Sequence, residues 1–126
     1  MKHVITAIVI LAMISAGSVF CIYYTQTVSE QLLDTLDLCE ESVAKDDWSA
    51  AQENIYLTGA LWEEHRPRLA SFLLHSDLNS ISDLLIEVTA LVSLQDKDGF
   101  FIANRRLAAL VDEISRMDSL TFENLF

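Results

Sequence analysis

The chain of 126 residues is poor in the residues that break or cross-link a backbone. It has one proline, three glycines and two cysteines. So few Gly and Pro exclude a collagen-like chain and a turn-rich β protein. Two cysteines exclude a disulfide framework. Basic residues are also scarce, 8 Lys and Arg against 19 Asp and Glu, for a net charge of −11. A sequence-independent nucleic-acid binder needs a positive surface to displace counterions, so nucleic acid is excluded as a partner. Disorder is excluded from the other side, because 52% of the residues are hydrophobic.

The apolar content and the charge occupy different parts of the chain. Val4 to Tyr24 is a run of 21 residues with no Asp, Glu, Lys or Arg. As a helix it measures about 31 Å, close to the roughly 30 Å hydrocarbon core of a bilayer. Tyr23 and Tyr24 close the run, where amphipathic rings favour the headgroup zone. Lys2 precedes it, and residues 25–126 carry 7 basic and 19 acidic residues. The positive-inside rule predicts a single-pass cell-membrane protein with a cytoplasmic N-terminus and an extracytoplasmic C-terminal domain. The division expected is a membrane anchor over 1–24, an uncleaved signal-anchor, and a helical domain over 25–126.

Two alternatives stay open. Residues 4–15 fit the apolar region of a cleaved signal, with Ala16-Gly17-Ser18 as the cleavage site. That would give a secreted helical protein. Cys21 raises a lipoprotein signal, but Phe20 is too bulky for the position before it. With so little chain on the cytoplasmic side, a signal would have to pass through a partner in the membrane. Ala16, Gly17 and Ser18 form a small face on which another helix could pack.

Residues 25–126 carry helical periodicity throughout. Val28, Leu32, Leu36, Cys39 and Val43 share one face, with Glu30, Asp34, Asp37, Glu40 and Glu41 on others. No Pro or Gly separates this stretch from the anchor, so a nearly continuous helix is expected, with a bend near Thr25–Thr27. Asp46-Asp47 before Trp48 signals a new helix N-terminus. Trp48, Ala51, Ile55, Thr58 and Trp62 follow, and Leu69 continues the stripe. Pro67 predicts a kink, or an end near His65 with Pro67 opening another helix. A turn near His75–Asp77 then leads to Leu78, Ile81, Leu84, Leu85, Val88, Leu91 and Val92. Asp96-Lys97-Asp98-Gly99 is the clearest break. Phe101, Leu107, Leu110, Val111, Ile114 and Met117 form the last helix, and 118–126 an apolar tail that docks on the body. No strand pattern and no repeat of 20–50 residues is seen. The fold class predicted is all-α: an N-terminal transmembrane helix followed by a small antiparallel three- or four-helix bundle.

Candidate chemistry is thin. The histidines His3, His65 and His75 stand in no zinc-binding spacing. A calcium loop around Gly99 would put Leu94 and Arg105 at its first and last ligand positions, where oxygen donors are required. No metal site and no cofactor is expected. Cys21 and Cys39 lie about 27 Å apart on one helix, too far to bond. Cys39 reads as a buried small hydrophobe; only if exposed would it link a homodimer. Arg66, Arg68, Arg105 and Arg106 are expected to pair with carboxylates, with a small anion site at the Pro67 kink as the sharper alternative. No serine-nucleophile or phosphate-loop setting occurs, so no catalytic residue is named and an enzyme is not expected.

Trp48-x-x-Ala51, Trp62, Arg66, Leu69, Phe72-Leu73, His75-x-Asp77-Leu78 and the closing Phe122-Glu123-Asn124-Leu125-Phe126 come in an order that resembles a known family. It is a family of small domain-of-unknown-function proteins from endospore-forming, mostly anaerobic bacteria. Ser76-Asp77-Leu78 departs from the family's pattern, which has Glu or an aliphatic residue after the histidine. The resemblance covers nearly the whole chain and implies a short, helical, membrane-anchored protein with no assigned activity. Genes of that family often sit beside one for a multi-spanning membrane protein, which implies an accessory role with such a partner. It supplies no catalytic residue. Read as residues alone, Trp48, Ala51, Trp62, Arg66 and His75 are a packing or interaction motif. The two tryptophans lie four turns apart on one helix face, and Arg66 and His75 could bond near the kink. The expected function is an accessory or interaction subunit of a cell-envelope membrane protein. The alternative is a ligand-sensing bundle that signals through a membrane partner.

Overall fold

A computed structural model describes residues 1–71 and 73–125, with side chains through Arg116. The described residues form four helices and no strand: α1 (Lys2–Ala44), α2 (Trp48–Leu69), α3 (His75–Ser93) and α4 (Lys97–Leu125). Each helix packs on its chain neighbours, and α4 closes the ring against α1.

α1 has two unlike halves. Its first part presents Val4, Ile5, Ile8, Leu11 and Ile14 away from the rest of the chain, all exposed. It is the one described helix long and apolar enough to cross a membrane, and the most apolar window is wholly uncovered by the bundle. Full burial begins at Thr25, whose hydroxyl donates to the Cys21 carbonyl at 2.9 Å. Val28, Leu32, Leu36, Cys39 and Val43 then face the core. The helix passes through 25–27 without interruption, so the boundary between 24 and 25 falls inside one element. Each fully buried Leu, Ile, Val or Phe of the shared core contributes about 1.5–3 kcal/mol.

The two turns far from the anchor are built alike. Asp46 and Gln95 adopt positive φ, 58° and 54°. Asp47 donates its N–H to Ser42 O at 2.9 Å, and Asp96 donates to Leu91 O at 3.0 Å. These six-to-one bonds close the preceding helix as a Schellman turn. The same aspartates then cap the next helix: Asp47 Oδ1 accepts from Ala50 N, and Asp96 Oδ1 accepts from Gly99 N. At Gly99 an added Cβ would fall 2.6 Å from Asp96 Oδ2. Lys97 spans the turns with an ion pair to Asp46 at 3.2 Å.

The likeness extends along both hairpins at an offset of about 49 residues. Ser29, Leu32, Leu36, Cys39, Val43, Ala51, Ile55, Thr58 and Trp62 are buried. Their counterparts Leu78, Ile81, Leu85, Val88, Val92, Phe100, Asn104, Leu107 and Val111 are buried too. The likeness is one of burial at these positions, since side-chain identities differ at most of the pairs and Val28, Leu84, Ala103 and Ile114 are buried opposite half-buried Asp77, Thr35, Asn54 and His65.

Four expectations are also corrected in detail. Pro67 neither ends α2 at His65 nor opens a new helix. It stands in the last turn of α2, where its ring removes the N–H that would bond the carbonyl of Glu63, an exposed residue. The turn after it ends at Leu74, and His75 is already helical. At the start of α4 the core face carries Phe100, Ala103 and Asn104, with Phe101 only half-buried. Finally, α4 continues to Leu125, so the stretch read as a tail is helical. Its docking lies outside the described side chains.

Candidate functional site

The residues singled out in the sequence fall along α2 and the first turn of α3. Trp48 opens α2 half-buried against the core, and Ala51 is buried one turn later. Trp62 is 1% exposed, and its indole Nε1 donates to Ser82 Oγ on α3 at 2.8 Å. An amphipathic indole packs its body and needs a partner for its N–H, and Ser82 is that partner. Arg66 Nη2 donates to Asn79 Oδ1 at 2.7 Å. His75 is exposed and has no side-chain hydrogen bond among the described residues, so the expected Arg66–His75 bond is corrected to Arg66–Asn79. The structure thus ties Trp62 and Arg66 to α3 and leaves Trp48 and His75 at opposite ends of the helix pair.

A groove of about 520 Å³ runs along the α2–α3 seam over Trp62. Gly59 and Ser82 keep it open, and Tyr56 and Ile86 form its exposed rims. On the α4–α1 seam the counterpart positions hold Ala108 and Leu33, both packed against the core.

Tyr24 and His65 make a contact that sequence reasoning missed. The Tyr24 hydroxyl and His65 Nδ1 are 2.6 Å apart, and their rings meet edge to face at 5.6 Å. Phe20 stacks on Tyr24 one turn below. Asn54 bonds Ser42, Thr58 bonds Thr35, and His65 bonds Tyr24. α2 therefore descends along α1 toward the apolar half. No local pattern could reveal a pairing between residues 41 apart in sequence.

Cys39 is fully buried, and its thiol donates to Ala51 O at 3.3 Å. Burial, with the Glu40 carboxylate beside it, pushes its pKa up to about 11. A disulfide-linked dimer through Cys39 is thereby closed off. Among the described residues no three His, Cys, Asp or Glu gather as a metal site. Their ion pairs are Lys97–Asp46 and Arg116–Asp112, so the expected pairing of Arg66, Arg68, Arg105 and Arg106 with carboxylates is corrected.

A family model described as "Domain of unknown function (DUF4363)" matches residues 19–125. The chain belongs to that family. No curated protein and no solved structure matches it.

Proposed function

We propose that this DUF4363 protein is a membrane-anchored, extracytoplasmic and non-enzymatic accessory subunit of a multi-spanning membrane protein. Residues 4–24 cross the bilayer with the N-terminus in the cytoplasm. Residues 25–126 stand outside as an antiparallel bundle. The observation that carries this reading is the division within α1. One unbroken helix is uncovered along its apolar half and buried from Thr25 onward. An apolar helix with no protein over it needs lipid or another helix around it. The bundle then has no separate stalk, and any shift of α1 in the membrane moves the core directly. The proposed role rests on that rigid link.

The test is purification of the full chain, tagged at its C-terminus, from gently solubilised native membranes. A stoichiometric multi-spanning protein in the eluate is the expected result. A chain that elutes alone overturns the accessory role. The intact mass of the same sample decides anchoring, because loss of about 18–25 residues marks a cleaved signal and a secreted protein.

The α2–α3 groove favours a second reading, a bundle that senses an apolar ligand. A ligand bound only by the folded state raises the unfolding temperature. A set of fatty acids and small aromatic compounds that leaves this temperature unchanged counts against sensing.

A further inference from the structure

We propose that the bundle makes a second contact with the membrane. Its end nearest the anchor, carrying Arg66, Arg68 and Leu74, docks on anionic phospholipid headgroups. The inference rests on the reading of residues 4–24 as a span.

Position comes first. The contacts Asn54–Ser42, Thr58–Thr35 and Tyr24–His65 step α2 downward along α1. Tyr24 is the last residue of the apolar run, at headgroup depth if that run spans. Arg66 and Arg68 follow His65 within one helical turn and continue in the same direction. The turn between α2 and α3 must therefore lie at the outer face of the bilayer. It goes no deeper than a short step past His65, because α2 ends at Leu69 and α3 turns back at His75.

Charge comes second. The domain is strongly acidic, yet this end carries two arginines without a carboxylate partner among the described residues. Arg66 donates to neutral Asn79, and Arg68 is exposed. The nearest carboxylates in sequence are Glu63 and Glu64, a turn farther from the span on α2, and Asp77 in the first turn of α3. The far end of the bundle carries Asp46, Asp47, Asp96 and Asp98 against Lys45 and Lys97, and so stays net acidic. A dipolar domain of this kind holds its basic end to an anionic surface and its acidic end away from it.

Surface character comes third. Leu74 is 63% exposed at the N-cap of α3, where this turn ends. An apolar side chain flanked by arginines matches the layering of a headgroup region, where cations meet phosphate and aliphatic groups reach the acyl boundary.

The test uses the full chain reconstituted in vesicles of phosphatidylcholine alone or mixed with phosphatidylglycerol. Backbone amide exchange is read at His75, Ser76 and Asp77. These amides open α3 and have no acceptor within the helix, so they exchange fast unless covered. The expected result is slower exchange on the mixed vesicles, by about 5-fold for each arginine engaged, and loss of the difference in high salt. Arg66→Gln with Arg68→Gln should abolish the difference. Arg105→Gln with Arg106→Gln, an equal change of charge on the flank of α4, should keep it. Leu74→Ser should weaken it, and Leu94→Ser, at the far end, should not. If loss of the Asn79 bond disturbs the fold of the double variant, Arg68→Gln alone serves, and roughly half the effect is expected. Equal exchange on both vesicles, or a difference that survives both arginine substitutions, overturns the docking. A chain that fails to float with either vesicle overturns the anchor itself, and the docking with it.

Discussion

The Tyr24 hydroxyl and His65 Nδ1 lie 2.6 Å apart, and this bond joins the end of the apolar run of α1 to the lower part of α2. It sits where the bundle core begins, one residue before buried Thr25. Tyr24→Phe keeps the ring and removes the bond. A loss of about 1 kcal/mol is expected from thermal or denaturant unfolding of the full chain in detergent micelles. Tyr23→Phe is the control, because Tyr23 is exposed on the preceding position of the helix.

Trp62 and Ser82 join the core of α2 to α3 by a side-chain hydrogen bond. Ser82→Ala leaves a buried indole N–H without its partner, for an expected cost of about 1–3 kcal/mol. Trp62→Ala removes the bond and opens a cavity, for about 3–5 kcal/mol. The double variant should cost less than the sum, since the bond can be lost only once. Additive costs from urea midpoints would show that the bond contributes nothing beyond packing.

The glycines and the positive-φ residues predict opposite responses. An added Cβ at Gly59 meets nothing within 4 Å, so Gly59→Ala should stabilise the chain by up to about 1 kcal/mol. At Gly99 the Cβ would strike the Asp96 cap and Leu91, so Gly99→Ala should gain less or destabilise. Gln95→Gly should relieve roughly 1 kcal/mol of left-handed strain. Asp46→Gly relieves the same strain but loses the Lys97 pair. Unfolding midpoints that rank Asp46→Gly above Gln95→Gly would contradict this account.

Cys39 predicts a one-sided dependence on pH. Its folded pKa of about 11 lies above the ordinary 9.0 of an exposed thiol. Below pH 9 the thiol is neutral in both states, and its contribution to stability is constant. Between pH 9 and 11 the unfolded chain ionises first, so stability falls. Cys39→Val should flatten that fall relative to the parent chain. The native thiol should also resist alkylation at pH 8, with modification rising only on unfolding.

Much of the fold was legible because helical burial has a short period. The faces Val28–Val43, Ala51–Trp62 and Leu78–Val92 are where the periodicity of three and four residues places them. Asp47 before Trp48 reads as a cap from its position alone, and it caps. The start of α4 misled, because Phe100 and Phe101 are adjacent and either could face inward. Phe100 faces the core, since the register of α4 follows Ala103 and Leu107 below it. Pro67 misled for a different reason: near a helix C-terminus the hydrogen bond it removes is one that water replaces.

Composition and local pattern determined by themselves that the chain is helical and acidic outside one apolar run, and left the number of helices open at Pro67. These follow from nearest-neighbour chemistry, which a linear sequence carries in full. Tertiary structure alone decided the partners: Tyr24 with His65, Trp62 with Ser82, Arg66 with Asn79. It also decided that nine positions of one hairpin are matched in burial by the other, and that the α2–α3 seam carries an open groove over Trp62. Those outcomes depend on how side chains of unequal volume meet across helices, and that packing is fixed only when all four are in place.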